Sequence, residues 1–178
     1  TLQSEFMKKL LSSNSFVGSD IPSELSNHDI SLPTNGTMAL ISIEEMFKSK
    51  KSELNIYINL LKEALSKEKI AFVDFDFQDS IVMFLSSNDI EKISLICRET
   101  FIPFEQKTLT ALTVGLTLYS SLEYIQKTYE SCLKLVQSKL LFHLNTVEME
   151  LDDQTSYRHL QSISQFYSII DEKYSTQL

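Results

Sequence analysis

Five acidic residues are spaced so that phosphoryl or acid–base chemistry could be built on them. Asp74 and Asp76 alternate on one side of a β-rich run, Asp79 follows them, and Glu44-Glu45 closes an earlier apolar run. Carboxylates that converge in this way hold a divalent cation or act as an acid–base pair. Each also has a plainer reading: Asp74 and Asp76 as a solvated strand face, Asp79 as a turn residue. A later acidic run, Glu148, Glu150, Asp152 and Asp153, would suit a cation only if it folded into a loop, and a solvated linker is the simpler expectation. His28, His143 and His159 lack metal-ligand spacing. Cys97 and Cys132 fall inside helical apolar patterns without a C-x-x-C partner, so they read as buried reduced thiols. No metal site and no cofactor is expected from these residues.

The elements that would position these residues follow from periodicity. Phe6, Met7, Leu10 and Leu11 recur at helical spacing, and Asp20 with Pro22 marks the start of a second short helix. Residues 1–35 form this helical lead-in. Thr37 to Ile43 is a continuous apolar run, which predicts a strand buried on both faces, and the Asn35-Gly36-Thr37 sequon before it reads as a turn. Leu54, Tyr57, Ile58, Leu61 and Leu65 define an amphipathic helix with Lys and Glu on its other side. Ile70 to Phe75 and Ser80 to Leu85 predict a hairpin turning at Asp76–Asp79. Asn88 with Glu91 has the form of a capping box for a helix carrying Ile90, Ile93, Ile96, Cys97 and Phe101. Thr108 to Leu118 alternates as a strand, and Ser120 with Glu123 caps a long helix ending near Phe142-His143. Thr146 to Met149 predicts a short edge strand. Together these give an α+β fold over residues 36–150, a mixed and mainly antiparallel sheet with helices on one face.

Residues 151–178 read as a linker and a C-terminal helix. Its apolar side, Tyr157, Leu160, Ile163, Phe166, Tyr167 and Ile170, is the candidate interface for a second chain.

Composition narrows the classes. The chain has 178 residues, 16 Lys+Arg against 24 Asp+Glu, and a net charge of −8, so direct nucleic-acid binding by this segment is disfavoured. With glycine only at Gly18, Gly36 and Gly115, no phosphate-cradling loop can be written. No apolar stretch reaches the ~18–20 residues of a membrane span, and no signal peptide is evident, so a cytoplasmic location is expected. The chain opens at Thr1 and closes on a helical pattern, as a fragment of a longer protein would.

The order β-α-β-hairpin-β-α-β-α, over roughly residues 3–150, resembles the GGDEF (diguanylate cyclase) fold. Met38 to Glu45 is similar to its first strand and Phe75 to Leu85 to its signature hairpin. Leu112-Thr113-Val114-Gly115-Leu116 resembles a later strand, and Ser121 through Val147 its closing segment. That ending, with the two short leading helices, resembles the degenerate GGDEF-like domains upstream of the helix-turn-helix pair in bacterial AraC-type regulators. The resemblance matches Phe77-Gln78-Asp79-Ser80-Ile81 to the signature Gly-Gly-Asp/Glu-Glu-Phe.

In active members the glycines admit the guanine nucleotide, and the fourth-position acid joins a first-strand Asp on a divalent metal. Here both glycines are replaced and Ser80 stands at the fourth position. Ala71 takes the place of the Arg in the family's product-binding Arg-x-x-Asp before the hairpin. The resemblance therefore implies a non-catalytic regulatory domain that senses a small-molecule effector or forms a homodimer, reaching DNA only through a DNA-binding part outside this chain. The alternative is a nucleotide-binding or cyclase-like enzyme with a site rebuilt around Glu44, Glu45, Asp74 and Asp79; a purely structural spacer is a third reading.

Overall fold

A computed structural model describes residues 1–43, 51–108, 112–142, 147–150 and 157–159. The elements run α1 (Leu2–Ser12), α2 (Ile21–Asn27), β1 (Gly36–Ile43), α3 (Lys51–Lys67), β2 (Phe72–Asp76), β3 (Ser80–Leu85), α4 (Ile90–Thr108), β4 (Leu112–Tyr119), α5 (Ile125–Phe142), β5 (Val147–Glu150) and β6 (Tyr157–His159). The sheet order is β2-β3-β1-β4-β5-β6. β1 lies antiparallel between β3 and β4, β2 pairs antiparallel with β3, and β5 joins β4 in parallel. The first four strands with α3 and α4 thus form a split βαβ arrangement, in which each helical crossover skips one strand.

The expected α+β class is borne out, but the expectation of helices on one face is corrected: they cover both. Ala39 and Ile41 of β1 join a core with Leu54, Ile58, Leu61 and Leu65 of α3 and Ile93, Cys97, Phe101 and Phe104 of α4. Met38 and Leu40 point the other way, into a core with Met7 and Leu10 of α1, Leu25 of α2, and Tyr129 and Cys132 of α5. Alternating side chains of a strand face opposite sides, so an unbroken apolar run needs cover on both. The lead-in helices supply part of that second cover and share its core.

Local chemistry shifts several boundaries. The cap of α4 is Asp89, whose Oδ1 accepts the Lys92 N–H at 3.1 Å, while Asn88 donates instead to Asn35 Oδ1 at 3.0 Å. Likewise Ser121, not Ser120, accepts the Glu123 N–H, opening a 3-10 turn at Leu122–Tyr124 before α5. α4 runs on through Pro103 to Thr108, held by buried Phe101 and Phe104, so Thr108 ends a helix and does not open β4, which is described from Leu112. The outward side of α3 carries exposed Ile56 and Leu60 as well as charges.

β5 is an inner strand rather than an edge, because β6 pairs antiparallel outside it. Tyr157 therefore stands in a strand, at the register position opposite Glu150, and not in the helix that the apolar spacing predicts. Three residues are too few for periodicity to tell strand from helix, and pairing with β5 decides it. Leu160, Ile163, Phe166, Tyr167 and Ile170 lie outside the described residues.

Candidate functional site

The hairpin joining β2 to β3 turns in two residues, Gln78 and Asp79. The Phe77 N–H donates to the Ser80 carbonyl at 2.8 Å, and the Asp79 N–H closes back on the Phe77 carbonyl at 3.0 Å. Gln78 sits between them with φ +73°. This is the γ-turn of rare, strained form, which glycine tolerates far better than glutamine. The position that the resemblance matches to the second signature glycine thus has a left-handed backbone.

A lysine holds the turn from outside. Lys51 Nζ, at the start of α3, lies 3.1 Å from Asp76 Oδ1 and donates to the Gln78 carbonyl at 3.1 Å. The same Asp76 oxygen accepts the Gln78 N–H at 2.8 Å. One residue pair earlier, Lys62 Nζ meets Asp74 Oδ2 at 3.0 Å. Both carboxylates on this strand face are engaged by cations of α3, as a solvated, salt-bridged edge would be.

The remaining signature positions point elsewhere. Phe77 is buried and packs edge to face on Tyr129 of α5. Asp79 is exposed; its carboxylate accepts a long 3.4 Å bond from the Ser80 hydroxyl and lies within electrostatic reach of Tyr129. Burial pushes the Tyr129 phenol up to about 12, with the charge of Asp79 and then Cys132 adding to the effect. Ser80 pairs with Ser42 and Ile81 with Ile41, so the turn abuts the end of β1. Glu44 and Glu45, which follow that end, lie outside the described residues.

These residues do not fit a divalent cation. Asp74 and Asp76 turn to α3, Asp79 lies toward α5, and Ser80 offers a neutral hydroxyl where a carboxylate would be needed. Among the described residues no group of three or more His, Cys, Asp or Glu could hold a metal ion. Nor does the tip offer space at the first glycine position, where the phenyl ring of Phe77 is built into the core.

The other candidates resolve into structure. His28 is exposed, stacks on Phe6 at 3.5 Å and 10°, and holds the Glu24 carbonyl through Nδ1. His159 falls in β6, and His143 outside the described residues. Cys97 and Cys132 are buried thiols outside any disulfide, one in each core, and burial pushes the Cys97 thiol up to about 12, leaving it protonated and unreactive. Sequence reasoning missed two features. Lys51 is separated from the hairpin by a whole helix, and no local pattern announces that contact. Glu105 is pushed up to about 7 by burial, opposed by the Leu112 N–H, because α4 outruns its predicted end.

Comparison with protein-family models finds none that matches this chain, and a search of curated proteins finds no match. Among the described residues no helix is long and apolar enough to cross a membrane.

Proposed function

We propose that this chain is a non-catalytic regulatory domain of a bacterial AraC-type transcription regulator, a degenerate GGDEF-like unit that senses a small-molecule effector or dimerises in the cytoplasm. The observation that carries the reading is the hairpin. It keeps a left-handed turn at the position matched to a signature glycine, yet fills the preceding one with a core phenylalanine and lacks the fourth-position acid. The order of strands and helices around it, β1-α3-β2-β3-α4-β4-α5, supports the reading, since the resemblance rests on that order. An effector would act by binding one arrangement of two domains more tightly than another.

The test combines light scattering over a concentration series with thermal unfolding in GTP plus magnesium, cyclic di-GMP and a panel of small metabolites. Dimerisation, or a metabolite that raises the melting temperature while GTP and cyclic di-GMP do not, supports the reading. Magnesium-dependent GTP turnover lost in Asp79→Ala would establish the enzyme instead. A chain that stays monomeric and answers to nothing is the spacer.

A further inference from the structure

Asn35 is the only asparagine of the chain that glycine follows. Its side-chain Cγ is an electrophile one ring closure away from the backbone nitrogen of Gly36, and with no Cβ beside that nitrogen nothing crowds the attack. Asn14, Asn27, Asn55, Asn59, Asn88 and Asn145 each precede a residue whose side chain stands in the way. Asparagine is among the chemically labile residues, and this step is where the lability concentrates.

The fold treats the two reacting groups differently. The Asn35 side chain is exposed in the turn before β1, where its Oδ1 accepts from Asn88 Nδ2 at 3.0 Å and its Nδ2 reaches Thr34 Oγ1 only at 3.4 Å. Gly36 is buried. It opens β1 opposite Tyr119, and the Leu85 carbonyl oxygen lies 1.9 Å from where a Cβ would stand. Beside it the Thr37 hydroxyl donates to the Ser87 carbonyl at 2.8 Å. The nucleophile is thus fixed by the sheet, while the electrophile is held by one good side-chain bond. Ring closure therefore waits for the turn to open, and Asn88 resists that opening from the solvent side.

We propose that Asn35 is a site of spontaneous deamidation latched by Asn88. The Gly36 nitrogen gives up its proton and bonds to Asn35 Cγ; the Cγ–Nδ2 bond breaks, and Nδ2 leaves as ammonia with that proton. Water then opens the succinimide ring. Attack at Cγ leaves an ordinary aspartate at position 35, and attack at the backbone carbonyl leaves an isoaspartate, whose main chain runs through Cβ and Cγ and is one carbon longer. Either product makes the chain one unit more negative than its present −8.

The products fit the fold unequally. An ordinary aspartate still accepts from Asn88 Nδ2. The extra carbon of an isoaspartate displaces Gly36 against the Leu85 carbonyl, which leaves it no room, and pulls on the Thr37 bond to Ser87. The junction between the helical lead-in and the sheet is what loosens.

The full chain, held folded at pH 8 for weeks, is mapped by peptide mass spectrometry with electron-transfer fragmentation, which tells the two products apart. Conversion is expected at Asn35 ahead of every other asparagine, more slowly at pH 6, faster in urea, and about fivefold faster in Asn88→Ala, the population that one net hydrogen bond holds back. Asn88 is exposed and does not cap α4, so that variant is expected to fold. Of the aged fractions separated by charge, the aspartate form is expected to melt with the fresh chain and the isoaspartate form below it. If Asn35 keeps its amide as long as the other asparagines do, the site is refuted, a result that the folded wild type decides alone. If neither urea nor Asn88→Ala speeds the reaction, the latch is refuted. An isoaspartate form that melts with the fresh chain overturns the constraint assigned to Gly36.

Discussion

Phe77 and Tyr129 meet edge to face, 6.4 Å between ring centroids and 72° between planes, and tie the tip of the signature hairpin to α5. Both rings are buried, so the contact anchors a turn that would otherwise project into solvent. Phe77→Ala is expected to cost about 3 kcal/mol, the usual loss for a truncated core phenylalanine. Urea unfolding followed by Tyr fluorescence measures it. A loss below about 1 kcal/mol would show that the ring is not part of the core.

The backbone beside it predicts the opposite sign. Gln78 holds φ +73°, a conformation costing a non-glycine residue roughly 1 kcal/mol. Gln78→Gly is expected to raise stability by about 0.5–1 kcal/mol, and Gln78→Val to lower it, because a β-branched side chain fits this region worst. Midpoints of thermal unfolding for the two variants should bracket that of the wild type. If glycine lowers the midpoint, the turn is not left-handed.

Gly36 opens β1 under a tighter constraint. A Cβ there would lie 1.9 Å from the Leu85 carbonyl oxygen, and backbone cannot yield as a flexible side chain does. Gly36→Ala is therefore expected to push β1 off β3 and destabilise the chain by several kcal/mol, on the order of 3 or more, with loss of cooperative melting as the visible sign. Gly18, whose Cβ would meet nothing within 4 Å, is the control for the same substitution. Its φ of +80° restricts the expected loss to about 1 kcal/mol.

The sequence carried the burial of β1 on both faces, because Met38-Ala39-Leu40-Ile41 is apolar at every position, but not the helices that cover both. It carried the hairpin and its turn, since polar residues interrupt two β-rich runs. It did not carry the side of the sheet on which each helix lies, for α3 and α5 have the same kind of stripe. Nor did it carry caps to the residue: Asn88 and Asp89 are both good caps, and the contact of Asn88 with Asn35 settles which is used. The Lys51 clamp on Asp76 depends on where a helix starts in space, and no spacing rule encodes that. Tyr157 shows the limit at the other end, where a strand partner outweighs an apolar helical period.

Glu105 gives the chain a pH dependence near neutrality. Burial raises its folded-state carboxyl from 4.5 to about 7, against the smaller downward pull of the Leu112 N–H. Between those values the folded chain binds a proton that the unfolded chain has released, so stability falls as pH rises through the window. Below pH 4.5 both states are protonated and the penalty vanishes; above about 7 it is present in full, on the order of 1–3 kcal/mol. Glu105→Gln keeps an acceptor for the Leu112 N–H without the charge. It is expected to match the wild type at pH 4 and exceed it at pH 8, with a flatter profile between. Urea unfolding at these two values decides the matter, and a variant less stable than the wild type at pH 8 would mean that the ionised carboxylate holds the start of β4 more firmly than burial opposes it.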